Sequence, residues 1–264
     1  MSNTSKGTAL ITGASSGIGA VYADRLSKQG YNLILVARSE EKLNRLATQL
    51  SEETNCLVEV IRADLTNKAD LATVEVVLKN DSNISMLINN AGVGSVASVL
   101  DSDVDEMEKM IALNITALTR LTYAIAPAFA EKNTGTIINI SSVVGISSEF
   151  LNGVYSASKS YVLSFGHRLQ KEFSSKGVRI QTVLPGATAT PFWDAAGYSI
   201  IKSAPSTMSA EDCVDAALAG LDQGEMVTIP GLQHYDDWED WENSRQALGP
   251  KLGNAKPGER YKVS

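Results

Sequence analysis

The chain has 264 residues, of which 44% are hydrophobic and 20% are charged, a balance typical of soluble globular proteins. Its formal net charge of −7 argues against a nucleic acid or an anionic membrane as partner. The longest apolar runs are far too short to cross a bilayer, and the N-terminus lacks the apolar core of a signal peptide. Two cysteines in no metal-like spacing predict a protein of the reducing cytoplasm, without disulfides or a metal site.

A glycine-rich turn follows the first apolar run. Residues 8–12 predict a strand, residues 13–19 contain three glycines, and a helical pattern then continues to Gly30. In a strand, turn and helix of this kind, the backbone N–H groups at the start of the helix can bind a phosphate. The Gly-x3-Gly-x-Gly spacing differs from the usual Gly-x-Gly-x-x-Gly fingerprint, so a merely flexible turn is the alternative.

The end of the second predicted strand, residues 31–36, bears on the choice of cofactor. Dinucleotide-binding folds that use NAD have an acidic residue near this point, which binds the ribose hydroxyls. Here Ala37 and Arg38 follow the strand. A guanidinium suits a 2′-phosphate, so we predict a preference for NADP(H), with NAD(H) possible. The alternative is that Arg38 is simply a surface residue at the start of a helix.

Further strands are predicted at residues 57–61, 85–88, 135–140, 178–184 and 226–229. The first four strands are separated by helical patterns of ten to fifteen residues, which predicts right-handed crossovers and a parallel sheet. The predicted fold is α/β: a single Rossmann-type domain over residues 1–230, with a doubly wound parallel sheet of about seven strands and helices on both faces. Ligands of such sheets bind at the carboxyl ends of the strands.

Three side chains could act together on a carbonyl group. Tyr155 and Lys159 are four residues apart, so they share one face of a helix, and Ser142 follows a predicted strand. A hydroxyl, a phenol and an ammonium can bind a carbonyl oxygen and move its proton, and the ammonium is expected to lower the pKa of the phenol. Taken alone, this Tyr–Lys spacing is more typical of a solvated helix face. Asn114, taken alone, is likewise more typical of a hydrogen-bonded amide in the core.

Two later segments have a distinct composition. Residues 187–207 are loop-rich and aromatic, which suggests a lid over an apolar substrate, with simple packing an equal alternative. Residues 149–152 are expected to frame the same pocket. Residues 231–264 are first acidic and aromatic, then basic and rich in Gly and Pro, which predicts a C-terminal extension: a helix or irregular segment and a flexible tail.

Together, these motifs resemble the short-chain dehydrogenase/reductase family across residues 8–230. The motifs are Thr12-Gly-Ala-Ser-Ser-Gly-Ile-Gly19, Asn89-Asn-Ala-Gly92, Asn114, Asn139-Ile-Ser-Ser142, Tyr155-x-x-x-Lys159 and Pro185-Gly186. Each motif is weak by itself, but six in this order and spacing make a specific match.

The resemblance implies a role for each matching residue. Tyr155 would be the general acid/base, Lys159 would lower its pKa and bind the nicotinamide ribose, and Ser142 rather than Ser141 would bind the substrate oxygen. Asn114 would anchor a water that links Lys159 to solvent. The remaining cofactor-binding residues would be Gly13, Ser15, Ser16, Ile18 and Gly19 at the phosphates and ribose, Asp64 and Leu65 at the adenine, Asn90 at the adenine-side ribose, and Pro185, Gly186, Thr188 and Thr190 at the nicotinamide end.

The chain departs from the family pattern at three places. Ser16 replaces a basic residue found in many NADP-using relatives, and Thr188 replaces a usual aliphatic residue. The residues after Ile229 also exceed the usual length, which puts the common tetramer in doubt and favours a homodimer through the two long helices, although a homotetramer stays possible.

The sequence thus predicts an NADP(H)-dependent oxidoreductase that interconverts a carbonyl and a secondary alcohol, with an apolar small molecule as substrate. A non-catalytic NAD(P)-binding regulator on the same fold is the alternative, disfavoured because Ser, Tyr and Lys are all present. Steroids, keto-acyl thioesters, sugars and small diketones all remain open as substrates.

Overall fold

The computed structural model describes residues 5–261. Its strands are β1 (Thr8–Thr12), β2 (Asn32–Ala37), β3 (Val58–Arg62), β4 (Ile84–Asn89), β5 (Gly135–Ile140), β6 (Val178–Val183) and β7 (Val227–Thr228). Its helices are α1 (Gly17–Lys28), α2 (Glu40–Thr54), α3 (Lys68–Asn80), α4 (Val104–Ile111), α5 (Leu118–Lys132), α6 (Gly153–Phe173), α7 (Phe192–Ala195), α8 (Ala210–Gln223) and α9 (Tyr235–Leu248).

The strands form one sheet in the order β3-β2-β1-β4-β5-β6-β7, and every neighbouring pair is parallel. The predicted fold, an α/β Rossmann-type doubly wound sheet with seven strands, is therefore confirmed. Strand bounds differ from the predicted ones by at most one residue at each end. The chain turns to opposite sides of β1 to form β2 and β4, and this switch point opens a crevice at the carboxyl ends of the strands.

Apolar side chains cover both faces of the sheet. Every residue of β1 and β5 is buried, as expected for strands sandwiched between helices. One cluster packs Tyr22 and Leu26 of α1 with Val214 of α8, and a second packs Phe129 of α5 with Leu169 of α6. The buried strands fix where each loop leaves the sheet, and the candidate site is built from those loops.

The predicted long helix over residues 104–130 is interrupted by a wider turn. Residues Ala112–Ala117 form a π-helical segment between α4 and α5, and Asn114 lies within it, 2% exposed. Such π-bulges inside helices are often found at functional sites.

The chain separates into two compact units, one that ends at Pro230 and one that begins at Gly231. In the described part of the second unit, α9 is a 14-residue helix, and Trp238 stacks on Trp241 with ring centroids 4.9 Å apart. Within residues 5–261, no helix is both long and apolar enough to cross a membrane.

Candidate active site

The glycine-rich turn after β1 is packed too closely for side chains. Gly13 has φ +66°, and a Cβ there would lie 2.9 Å from the Cα of Ala91. A Cβ on Gly19 would lie 2.5 Å from the carbonyl oxygen of Gly13. Both positions therefore require glycine, because any larger residue would push the turn away from β4.

Thr12 and Asn90 hold this turn in place. The Thr12 hydroxyl donates to the carbonyl of Ile88 at 3.2 Å and accepts from the N–H groups of Asn90 and Ala91, both at 3.0 Å. The Asn90 side-chain amide donates to the carbonyl of Thr12 at 2.9 Å. Asn90, predicted to bind the ribose, thus braces the turn itself, and Thr12 braces it too without having been singled out as a site residue.

The first turn of α1 is free to bind an anion. Ser16 stands at the N-cap with extended backbone, and within the described chain no side chain caps this turn and no acidic residue lies in it. The first N–H groups of the helix, which have no partner within it, and the positive end of the helix dipole suit a phosphate. The half-buried Ser15, Ser16 and Ile18 surround this end of the helix. The loop therefore fits the diphosphate of a dinucleotide cofactor.

Arg38 and Asp64 follow the paired strands β2 and β3 at the same edge. Arg38 is exposed. Partial burial acts to raise the pKa of Asp64, but the hydroxyl and N–H of Thr66, at 2.7 and 3.0 Å, and the nearby Arg38 charge hold it below its usual value. Leu65 is buried in the core beneath. This edge thus carries the exposed Arg38 guanidinium near the partly buried Asp64 carboxylate.

Ser142 and Tyr155 meet where β5 and α6 come together. The Ser141 hydroxyl donates to the carbonyl of Lys159 at 2.7 Å, so this serine joins the strand to the helix. Ser142 instead lies within hydrogen-bonding reach of the Tyr155 phenol. Lys159 donates from Nζ to the carbonyl of Ile140 at 3.0 Å and lies 5.7 Å from the centre of the Tyr155 ring. Ser142, Tyr155 and Lys159 therefore face one point.

Burial dominates the ionisation of these groups. It raises the pKa of Tyr155 to about 12, an effect that the hydrogen bond with Ser142 partly offsets. It also lowers the pKa of Lys159 to about 8. Desolvation of the phenolate therefore dominates the pKa of Tyr155 in the protein alone, and the lowering of that pKa by the Lys159 ammonium stays a prediction. At neutral pH the phenol is protonated.

The side chains of Asn114 and Lys159 both lie close to the backbone of Gly92. Its amide oxygen accepts from the N–H of Val93 at 3.0 Å, and its amide nitrogen donates to the carbonyl of Val93 and to Ser158. A Cβ built on Gly92 would lie 3.2 Å from Asn114 Oδ1 and 3.5 Å from Lys159 Nζ. Its protein hydrogen bonds anchor the chain after β4 next to the lysine.

The segment after β6 joins the two ends of the site. The carbonyl of Pro185 accepts from the N–H of Val143 at 3.0 Å, and that of Gly186 accepts from the Thr188 hydroxyl at 3.1 Å. A Cβ on Gly17 would lie 3.0 Å from the Thr190 methyl group. Pro185 is thus beside Ser142, and Thr190 beside the start of α1.

The predicted lid, residues 187–207, is a closed loop. Ala189 donates to the carbonyl of Met208 at 2.8 Å, and Met208 donates to that of Ala187 at 2.9 Å, so the two ends of the loop meet. The carboxylate of Asp194 pairs with Lys202 at 2.7 Å inside it. These contacts clip the loop at its base and across its middle.

Phe192 of this loop reaches the candidate catalytic tyrosine. Its ring centroid is 5.7 Å from that of Tyr155, and a Cβ on Gly94 would lie 2.3 Å from its Cζ. Tyr155 also packs in one apolar cluster with Val144 and Met110. Nothing in the sequence pattern pairs Gly94 with Phe192, which lie 98 positions apart in the chain.

The comparisons with known proteins agree with this geometry. A family model described as short chain dehydrogenase matches residues 7–198. The chain belongs to this family. As a short-chain dehydrogenase/reductase it is an oxidoreductase that uses a nicotinamide cofactor and acts on a small molecule, as the resemblance implied.

Solved structures of relatives extend the likeness. A short-chain dehydrogenase from Sphingobium yanoikuyae in complex with NADPH is 44% identical, has a TM-score of 0.94, and the match covers 97% of this chain and 100% of that one. A bulky-bulky ketone specific alcohol dehydrogenase from Comamonas testosteroni is 42% identical with a TM-score of 0.90, and its match covers 98% and 99%.

An uncharacterised oxidoreductase of Staphylococcus epidermidis is 31% identical over 230 residues, which are 87% of this chain and 96% of that protein. Both solved structures thus match more of this chain than the staphylococcal relative does, and their coverage extends beyond Pro230.

Proposed function

We propose that this short-chain dehydrogenase/reductase interconverts bulky apolar ketones and their secondary alcohols, with NADP(H) as the preferred cofactor and Tyr155 as general acid/base. The observation that carries the proposal is the meeting of Ser142, Tyr155 and Lys159 at the edge of the sheet that also holds the uncapped start of α1. A proton donor and a phosphate site at one edge are what such a reaction requires.

The cofactor preference rests on Arg38. Its exposed guanidinium follows β2, where an NAD-preferring site would have an acid, and it can donate charge-assisted hydrogen bonds to a 2′-phosphate. The NADPH complex of the Sphingobium relative supports the same preference. The first turn of α1 would hold the diphosphate, and Asp64 would lie at the adenine side.

In the direction of reduction, the Ser142 hydroxyl would hydrogen-bond the carbonyl oxygen and Tyr155 would give that oxygen its proton. The bound reduced nicotinamide supplies the hydride. A pKa of about 12 keeps the Tyr155 phenol protonated at neutral pH, which suits a donor. The Lys159 ammonium, 5.7 Å from the ring centre, would stabilise the phenolate left behind, with Asn114 anchoring the water that resupplies the proton.

The substrate class rests on the apolar surroundings of Tyr155. Val144 and Met110 pack in one cluster with it, and Phe192 packs against that cluster, so a substrate carbonyl at the phenol would have apolar neighbours. The name of the Comamonas relative, specific for ketones with two bulky substituents, supports the same class. Burying both substituents against this wall stabilises the complex by roughly 25 cal/mol per Å² of apolar surface.

Assembly as a homodimer through α5 and α6 is also proposed. Tyr123 of α5 is 69% exposed, although its ring stacks on Phe165 of α6 at 6.3 Å, and Phe165 stacks in turn on Tyr161. An aromatic face of this kind favours a second copy of the chain as partner. Light scattering that reports a tetramer would overturn the dimer. We expect the protein in the cytoplasm.

The proposed activity is tested by following NADPH absorbance with purified protein and a panel of ketones. The panel should contain a diaryl ketone, an aryl alkyl ketone, a small methyl ketone and a ketose. We expect the fastest NADPH consumption with the two bulky ketones. Preference for the ketose, or turnover with none of the four, would contradict the proposal.

A further inference from the structure

Asn152 joins the catalytic helix to a neighbouring loop through both ends of its side chain. Its amide oxygen accepts from the N–H groups of Val154 and Tyr155, at 2.9 and 3.2 Å, and so caps α6. Its amide nitrogen donates to the carbonyl of Ala97 at 2.6 Å and to the Ser102 hydroxyl at 3.1 Å. The residue is 4% exposed. Capping α6 needs only the oxygen, so the amide nitrogen has a separate task.

The loop that Asn152 holds begins at the candidate site. We name residues 90–103 the β4–α4 loop. Asn114 binds the backbone of Val93 in this loop, and the next residue, Gly94, packs against Phe192 of the lid. Farther along, Val99 is 81% exposed and Leu100 is 95% exposed. The loop thus carries large exposed apolar side chains on a segment whose first residues lie against Asn114 and Phe192.

Exposed apolar side chains flank the tether on its other side as well. Phe150, two residues before Asn152, is 76% exposed. The backbone N–H of Asn152 also donates to the carbonyl of Ser95 at 3.4 Å, a second link between the two segments. Exposed apolar groups on two tethered loops are favourable only when something apolar covers them.

We propose that Asn152 is a positioning residue that determines substrate specificity. By holding the β4–α4 loop against the start of α6, it fixes Val99 and Leu100 as a wall for the larger apolar substituent of the ketone. The inference rests on the proposed function, and it adds a residue that does not touch the reacting atoms.

Replacing Asn152 by aspartate separates its two tasks. Aspartate caps helices as well as asparagine does, so the start of α6 keeps its cap. A carboxylate cannot donate to the carbonyl of Ala97 and instead repels it, so the β4–α4 loop loses this side-chain tether and keeps only the backbone link at Ser95. Asn152→Ser is the neutral second variant, because a serine hydroxyl also caps but is too short to reach the loop.

For both variants we expect kcat/KM for a diaryl ketone to fall about tenfold or more, mainly through KM, as the loss of buried hydrogen bonds implies. kcat/KM for a small methyl ketone and the Kd of NADPH should stay near the wild-type values. Asn67→Asp is the matched control, since it makes the same exchange at the exposed cap of α3, outside the β4–α4 loop. It should leave the ratio of the two ketones unchanged.

A double-mutant cycle with Leu100→Ala tests the wall directly. In the wild-type background this change should lower kcat/KM for the diaryl ketone, whereas in the Asn152→Asp background it should add little, because the loop has already lost its side-chain tether. Additive effects, or an equal fall for both ketones, would overturn the inference while the proposed function stands. Failure of the wild-type protein to reduce any ketone would overturn the proposed function and this inference with it.

Discussion

The proposed cofactor side of this site is formed mainly by backbone groups, whereas the proposed substrate side is formed by side chains. On the proposed cofactor side, Gly13 and Gly19 let the chain pass close to itself, and the uncapped N–H groups of α1 would provide the binding atoms. On the proposed substrate side, Phe192 lies beside Tyr155, and Leu100 is the exposed apolar side chain proposed to extend the wall. A backbone site excludes all but a few residue types, whereas an apolar wall can be made from many.

This difference decides what can change without loss of function. An added methyl group in the glycine turn has nowhere to go, so the cofactor side tolerates little variation. A loop side chain can be exchanged for another apolar one at small cost, so the substrate side can alter its specificity while the proton donor stays in place. Variants of each side should therefore fail in different ways.

The largest effect is expected from a change at Tyr155, the proposed proton donor. Tyr155→Phe removes the proton donor and should lower kcat about a hundredfold to ten-thousandfold while the Kd of NADPH stays unchanged. Steady-state kinetics with a diaryl ketone and fluorescence titration measure the two quantities. Tyr161→Phe, on the same helix, is the control and should keep its activity. Near wild-type turnover by Tyr155→Phe would remove it from the mechanism.

Gly19→Ala tests the backbone side. The new Cβ would lie 2.5 Å from the carbonyl oxygen of Gly13, so the turn must shift and NADPH affinity should fall about a hundredfold. Gly249→Ala is the matched control, because the space around that position is open and its φ is −49°. Thermal unfolding should show that both variants are folded. Unchanged NADPH binding by a folded Gly19→Ala protein would contradict a close-packed cofactor turn.

Arg38→Ala should have a smaller and more selective effect. Loss of its charge-assisted hydrogen bonds should weaken NADPH about tenfold and leave NADH binding unchanged. Arg179→Ala serves as control, because it removes a guanidinium at the amino end of β6, whereas Arg38 follows the carboxyl end of β2. Equal weakening of both cofactors by Arg38→Ala would mean that this residue does not read the 2′-phosphate.

The smallest effect concerns stability and its dependence on pH. Burial lowers the pKa of Lys159 from 10.5 to about 8, so the folded state is disfavoured below pH 8 and the penalty fades as the pH rises toward 10.5. Lys159→Met should therefore raise the free energy of unfolding by at most roughly 3 kcal/mol at pH 7, and the gain should shrink at pH 10. Urea unfolding at both pH values measures it. A gain independent of pH would exclude a buried charge as its cause.

The sheet and the cofactor turn could be predicted because local rules fix them. Apolar runs and helical spacing gave the parallel sheet, and the glycines marked the turn, since a missing Cβ is visible in the sequence itself. The four-residue spacing of Tyr155 and Lys159 likewise fixes their common face once a helix is assumed.

Other features depend on contacts that no local pattern reveals. The π-helical turn at Asn114 interrupts what the sequence pattern predicts as one continuous helix. The contact of Gly94 with Phe192 and the tether from Asn152 to Ala97 join distant parts of the chain. The raised pKa of Tyr155 reflects burial depth, which the sequence does not give.

Titration of the purified wild-type protein with NADPH and with NADH, followed by nicotinamide fluorescence, tests most directly whether this edge of the sheet is an NADP(H) site. We predict saturable binding of both, with NADPH tighter by about tenfold, because only NADPH offers a phosphate to Arg38. Tighter binding of NADH, or binding of neither cofactor, would contradict the site described here.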